Sequence, residues 1–175
     1  MSKEILARRI RKASRIEGEF LLRSGLTSNV YWDKYRFESD PQLLDWIGDE
    51  MDDTFRGYIS ECVVGMEMGG IPLAVVLGVK SGAKCLFVRK KPKAYGTANL
   101  VEGGFEVGAK ALVVEDVITT AGQVCKSVKQ MRKLGLVIDR VVCVIDRQQG
   151  GAEALHKIGC HLSPLFTMED LEGCG

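Results

Sequence analysis

The sequence predicts an α/β protein with a mostly parallel central sheet flanked by helices. Three observations point there. Short, continuous apolar runs recur: ECVVGME from residue 61, and residues 85–89, 111–114 and 140–145. Such runs read as strands buried on both faces, the pattern of a parallel sheet. Stretches of helical periodicity separate them, as a covered parallel sheet requires. The composition, 46% hydrophobic and 27% charged over 175 residues, suits one globular core.

The elements follow in order. Residues 3–14 carry Ile5, Leu6, Ile10 and Ala13 at helical spacing and predict an amphipathic helix. Residues 18–40, rich in Ser, Gly and aromatics, predict irregular structure. Asp40 as N-cap and Pro41 in the first turn open a second helix, with Leu43, Leu44, Ile47 and Met51 on one face. After the strand at ECVVGME comes a helix over 71–80, with Pro72 tolerated in its first turn. The strand at 85–89 leads into an insertion, KKPKAYGTANLVEGGFEVG, residues 90–108, with no helical pattern. Arg89, Lys90, Lys91 and Lys93 cluster at its start, and Gly96, Gly103 and Gly104 allow it to move. A solvated basic loop and a localisation tag are two readings of it. A mobile lid that grips an anion accounts for length, charge and glycines together. The strand at 111–114 precedes a helix over 123–134 that Gly135 ends, and a strand at 140–145 follows. No repeat, low-complexity tract or linker divides the chain. Residues 1–175 are expected to form one domain, with a small N-terminal part over about 1–40 and a core over about 60–165.

Several function classes recede on composition. A net charge of +1 gives no bulk attraction to nucleic acid or to a membrane surface. No apolar stretch is long enough to span a bilayer. MSKEILARRIRKASRIEGEF lacks the apolar centre of a signal peptide, so a cytoplasmic location is expected. The six cysteines, Cys62, Cys85, Cys125, Cys143, Cys160 and Cys174, are scattered and several sit in apolar runs, as reduced, buried thiols do. His156 and His161 stand in no metal-binding pattern.

The chemistry concentrates in ALVVEDVITTAG, residues 111–122. In a parallel α/β sheet, ligands bind at the carboxyl ends of strands, and Glu115 and Asp116 fall at such an end. Thr119, Thr120, Ala121 and Gly122 then lead into a helix, whose N-terminal N–H groups and dipole suit a phosphate. Carboxylates beside that cradle suit sugar hydroxyls, or a hydrated Mg²⁺. Together they describe a site for a phosphorylated sugar. Helix capping and a phosphatase-like Mg²⁺ site are the competing readings. Neither a G-x-x-x-x-G-K-[ST] loop nor a G-x-G-x-x-G fingerprint is present.

Four hydrophobics, two acids and a Thr-rich turn opening a helix resemble the 5-phosphoribosyl 1-pyrophosphate (PRPP) signature of type I phosphoribosyltransferases. Within that superfamily the chain most resembles the orotate phosphoribosyltransferases. The likeness runs over nearly the whole length, through FLLRSGLTSNVYWD, GMEMGGIPLA, VRKKPKAYGT and VIDRQQGG. It implies the type I fold with an N-terminal hood. The implied activity is transfer of ribose 5-phosphate from PRPP to orotate, giving orotidine 5'-monophosphate and pyrophosphate in pyrimidine biosynthesis.

The resemblance also implies residue roles. Glu115 and Asp116 hold the ribose hydroxyls, and Val117, Ile118, Thr119, Thr120, Ala121, Gly122 and Gln123 cradle the 5-phosphate. Arg89, Lys90, Lys93 and Tyr95 belong to a mobile loop that grips pyrophosphate, with Lys93 and Asp116 as the catalytic pair. Glu67, Met68, Gly69 and Gly70 approach pyrophosphate through their backbone. Arg23, Tyr31 and Trp32 form the hood over the base, and Thr119 and Arg147 contact orotate. Mg²⁺ arrives mainly on PRPP, without a dedicated protein metal site. The implied assembly is a homodimer that shares the loop across its interface, with no nucleic-acid or membrane partner.

The sequence departs from the family in two places. Gly69 stands where many members have Lys, and Tyr95 where many bacterial members have His. The hood, YWDKYRFESDP, is also unusually aromatic. Two rival functions are a phosphoribosyltransferase for a purine or other base, and a non-enzymatic PRPP-sensing regulator. Arg147 favours an anionic base, because a guanidinium fork binds a carboxylate.

Overall fold

The computed structural model describes residues 2–21, 25–59, 61–91 and 99–174. Arg23, Lys93 and Tyr95 lie outside the described residues. Helix α1 (Lys3–Ser14) leads into a hairpin of β1 (Arg15–Leu21) and β2 (Thr27–Trp32), then short α2 (Tyr35–Glu38) and α3 (Pro41–Phe55). Next come β3 (Cys62–Met66), α4 (Gly70–Ser81), β4 (Lys84–Val88) and β5 (Val101–Glu102). The chain continues through β6 (Ala111–Ile118), α5 (Gly122–Lys133), β7 (Arg140–Asp146), α6 (Gly151–His156), β8 (His161–Thr167) and α7 (Met168–Gly173).

Six strands form one sheet in the order β5-β4-β3-β6-β7-β8, all parallel except the antiparallel edge strand β5. Alternation along the strands divides the core into two layers. Val63, Leu112, Val114, Val142 and Val144 face α1, α3 and α4. Val64, Val113, Val141 and Cys143 face α5 and α6. After β3 the chain turns toward β4, and after β6 toward β7. The crevice between the carboxyl ends of β3 and β6 is therefore the switch point where a ligand fits an open α/β sheet.

The expected sheet and its flanking helices are present, with three local differences. Arg15–Leu21 and Thr27–Trp32 pair as antiparallel strands rather than irregular chain. In TSNVYW every second residue is partly covered, and the Phe20 ring packs tilted against Tyr31 across the strands at 5.4 Å between ring centroids. The Ser and Gly content of this segment hides that alternation. The 90–108 insertion is tied at its far end, where Val101 and Glu102 pair with Val88 and Phe87. Two residues are too few to show a period. Strand β6 continues past Val114 to Ile118, so the acid pair lies inside the strand rather than after it. Beyond β7, α6, β8 and α7 were unassigned from sequence. Pro164 breaks the strand pattern there, and β8 tolerates it as the sheet edge.

Candidate active site

Strand β6 delivers Glu115 and Asp116 to the switch point. Asp116 is 1% exposed, and Glu115 is half-buried. A carboxylate so deep requires donors. Val117 N–H donates to Asp116 Oδ1 at 2.5 Å, and Lys34 Nζ pairs with Oδ2. Lys34 reaches in from the segment after the hairpin. Burial opposes its charge, but the Asp116 ion pair and hydrogen bond outweigh this and hold its pKa above the ordinary lysine value. Burial, reinforced by the Asp116 charge, pushes Glu115 up to about 8.

A third acid joins them. Glu38, the last residue of α2, is 8% exposed, and its Oε1 receives no hydrogen bond from any described donor. Desolvation, with Asp116 alongside, pushes it up to about 9. Gly69, buried in the turn after β3, makes the approach possible. A Cβ there would sit 1.6 Å from Asp116 Oδ2 and 3.0 Å from Glu38 Oε1. That turn contributes backbone to the site: Glu67 and Met68 are exposed, and Gly69 and Gly70 are buried. Gly70 begins α4.

The cradle follows β6. Thr119 is half-buried and Thr120 exposed. Ala121 takes a left-handed φ of 56°, turning the chain sharply into α5, whose first turn has no side-chain cap. Its N–H groups are left for a ligand. Gly122 and Gln123 at this end are exposed. Behind the turn, Gly151 packs so closely that a Cβ would meet Thr119 O at 2.7 Å and Ile118 Cγ2 at 2.4 Å.

Beside the acids opens a cavity of about 200 Å³, lined by Ser14, Trp32, Lys34, Val117, Thr119 and Arg147 among others. Thr119 and Arg147 come from consecutive strand ends, and Arg147 N–H donates to Ile118 O at 2.8 Å. The Asp146 carboxylate turns back to accept from Gln148 N–H at 2.8 Å. The exposed Arg147 side chain forms no ion pair among the described residues. Trp32 faces this cavity, whereas its neighbour Tyr31 emerges on the other side of β2 and is 44% exposed.

The root of the insertion touches the site from the other side. Lys90 N–H donates to Glu67 Oε2 at 3.0 Å. Arg89 pairs with Glu102 of β5 at 3.0 Å, so its guanidinium is engaged within its own loop. Among the described residues, no group of three or more His, Cys, Asp and Glu side chains is arranged to hold a metal ion.

Sequence reasoning passed over Lys34, Glu38 and Ser14. The one available cue was the spacing of Lys34 and Glu38, four apart, as on one face of a helical turn. The surrounding DKYRFESD reads as solvated polar chain.

No family model matches the sequence. Individual proteins do. An orotate phosphoribosyltransferase of Methanocella arvoryzae is 42% identical over 156 residues, covering 89% of each chain. One from a Nocardioides species is 40% identical over 167 residues, covering 95% of this chain and 93% of its own. Among solved structures, the orotate phosphoribosyltransferase of Mycobacterium tuberculosis in complex with PRPP superposes with a TM-score of 0.84 at 27% identity. That match covers 97% of this chain and 98% of the other. The orotate phosphoribosyltransferase of Aeropyrum pernix gives 0.81 at 26% identity over 98% of both chains. With relatives this similar over nearly its whole length, the chain belongs to the orotate phosphoribosyltransferase family.

Proposed function

We propose that this site transfers ribose 5-phosphate from Mg²⁺-bound PRPP to orotate, releasing pyrophosphate and forming orotidine 5'-monophosphate for pyrimidine (UMP) synthesis. The observation that carries the reading is a juxtaposition. A cavity walled by Thr119, Arg147 and Trp32 adjoins a buried carboxylate pair and an uncapped helix N-terminus. Base, ribose and phosphate each meet suitable chemistry in the order in which the product joins them.

In this reading the residues from Val117 to Gln123 hold the 5-phosphate. Glu115 and Asp116 accept hydrogen bonds from the ribose hydroxyls, and Thr119 and Arg147 grip the base. The N1–C1 bond forms as the C1–O bond to pyrophosphate breaks, and pyrophosphate carries the electron pair away. Positive charge grows on the ribose and negative charge on the leaving group. Mg²⁺ belongs to the substrate, bound by pyrophosphate. The turn from Glu67 to Gly70 and the basic loop bearing Lys90 and Lys93 surround the departing group. Loop closure excludes the water that would hydrolyse PRPP. No protein nucleophile is required.

The finer readings belong with this one. The protein acts as a cytoplasmic homodimer, one phosphoribosyltransferase domain per subunit, with Lys93 and Tyr95 reaching the neighbouring site. Val75 and Val79, four apart on α4, are 42% and 76% exposed and offer an apolar face for a second copy. Six unpaired cysteines suit a reducing compartment. No helix among the described residues is long and apolar enough to cross a membrane.

The decisive experiment incubates the protein with PRPP, Mg²⁺ and a panel of bases, with pyrophosphate release as readout. Orotate is expected to react. Turnover of adenine or another base without orotate would replace this reading. For the shared loop, Lys93→Ala subunits are mixed with Asp116→Asn subunits. Recovered activity is expected, since one site of a mixed dimer keeps both residues. No recovery despite subunit exchange would place the loop in its own subunit's site.

A further inference from the structure

We propose that Lys34 and Glu38 are positioning residues for Asp116: together they hold, from the hood, the carboxylate that takes the ribose hydroxyls. The inference rests on the reading of Asp116 as a sugar ligand given above.

Lys34 precedes α2 and Glu38 ends it, so the two lie one helical turn apart and address the same neighbour. Lys34 Nζ pairs with Asp116 Oδ2 across 82 positions of sequence. Glu38 is buried against the same carboxylate, with no described donor to its Oε1. The Gly69 geometry places both acids together, because the point a Cβ would occupy lies within 3.0 Å of an oxygen from each.

The charged groups facing Glu38 are Asp116 and Glu115 from β6 and Lys34 from its own segment. The β3–α4 turn brings Gly69 to this point, a residue without charge. One ammonium cannot neutralise three crowded carboxylates, and Lys34 pairs with Asp116, so Glu38 and Glu115, raised by burial and by the Asp116 charge, hold their protons near neutral pH. Glu38 is then a neutral acid whose O–H has an acceptor in Asp116. Asp116 receives three donors, from Val117 N–H, Lys34 and Glu38. Val117 N–H holds Oδ1 and Lys34 holds Oδ2, and Glu38 adds a third donor to the carboxylate.

The arrangement also links two subsites. Lys34 lines the base cavity beside Trp32, Thr119 and Arg147 while holding Asp116. The segment that walls the base thereby orients the ligand of the sugar.

The test is calorimetric titration of the full chain with Mg²⁺–PRPP, which needs no base and no turnover. Glu38→Ala and Lys34→Met are each expected to weaken PRPP about tenfold or more, the scale for losing a hydrogen bond to a buried charge. Glu38→Gln keeps a neutral N–H donor of the same size and should stay within about threefold of wild type. A unit that merely filled space would treat Glu38→Gln and wild type alike but would leave Lys34→Met unaffected. Circular dichroism melting accompanies each variant, and the isosteric Gln keeps the test open if the Ala variant does not fold. Unchanged affinity in Lys34→Met or Glu38→Ala overturns the proposal, as does a Gln variant as weak as the Ala one. Wild type that fails to bind PRPP at all overturns the functional reading and this inference with it. Wild type that binds normally beside unaffected variants overturns the inference alone.

Discussion

The cradle after β6 and the clamp on Asp116 serve adjoining parts of one ligand, yet they are built in opposite ways. The cradle is made of consecutive residues, Thr119 to Gln123, and its working groups are backbone N–H donors exposed by a sharp turn at Ala121. The clamp is made of side chains from two elements far apart in sequence, Lys34 and Glu38 at the two ends of α2 and Asp116 in β6, meeting over a bare backbone at Gly69. A site built from contiguous backbone keeps its chemistry in the local sequence. A site built from converging side chains has no local signature, because each member alone looks like an ordinary charged residue.

The largest expected effect comes from the acid pair that the clamp holds and that adjoins the cradle. Asp116→Asn with Glu115→Gln turns the two ribose-facing carboxylates into neutral amides of the same volume, each with one acceptor oxygen replaced by a donor NH₂. The charge-assisted hydrogen bond lost at Asp116 is worth about 1.5–3 kcal/mol and the neutral one at Glu115 about 0.5–1.5 kcal/mol, so PRPP affinity should fall roughly thirtyfold to a thousandfold or more. Titration with PRPP measures this, and far-UV circular dichroism should show the fold intact. Unchanged affinity would mean that the acids hold structure alone and that the sugar lies elsewhere.

Next in size is the base subsite, where the two halves meet. Arg147→Ala should cost roughly 1.5–3 kcal/mol in kcat/KM with orotate. It should cost much less with uracil, which lacks only the carboxylate. Equal losses would make Arg147 a support of the strand end. Its position favours reading the carboxylate, since Asp146 is engaged with Gln148 N–H and leaves the guanidinium free of its neighbour.

How much of this was legible follows the same division. The apolar runs marked β3, β4, β6 and β7, and the Asp40-Pro41 start of α3 was read correctly because Asp40 does accept from Gln42 and Leu43 N–H. The cradle and the acid pair were visible as one stretch of sequence. The hairpin was missed because Ser28 and Val30 alternate with polar neighbours too weakly to stand out, although the two strands pair along most of their length. Against its family, Gly69 stands out in the sequence only as a glycine where many members have Lys. In the structure it is a place where no side chain fits. Asp116 falls just past the apolar run, where the sequence places a strand end, and it is almost wholly buried because the strand runs four residues further.

Gly69→Ala sharpens that reading at smaller scale. Gly69 has an ordinary right-handed backbone, φ −68°, so alanine meets no conformational penalty there. Any effect must come from the added methyl, 1.6 Å from Asp116 Oδ2 before relaxation. Overpacking of this kind costs about 1–3 kcal/mol of stability, read by urea unfolding, and PRPP affinity should fall with it. Gly122→Ala is the control for stability, because the nearest atom to its Cβ is Thr120 Oγ1 at 4.0 Å. Equal stability in the two variants would show that the crevice around Asp116 is loose.

The smallest effect is a slope in the stability of the ligand-free protein, and it separates clamp from cradle most cleanly because the cradle carries no titrating group. Glu38 is raised from an ordinary value of 4.5 to about 9, and Glu115 to about 8. Between about 4.5 and about 9 the folded protein keeps protons on these acids that the unfolded chain has released. The unfolded state binds fewer protons there, so stability must fall as pH rises across that window and level off above it. Burying these acids is a cost carried at neutral pH, which ligand donors or Lys34 offset only in part. In Glu38→Gln the proton is replaced by a permanent neutral donor, so the decline should be shallower and the variant more stable than wild type at pH 9. Urea midpoints at pH 5, 7 and 9 and constant ionic strength give the comparison. The other titrating groups are common to both proteins, so the difference between the two curves reports Glu38 together with the acids it faces, Asp116 and Glu115. Parallel curves would show that Glu38 is ionised in the folded protein and that Asp116 is held by Lys34 and the backbone without it.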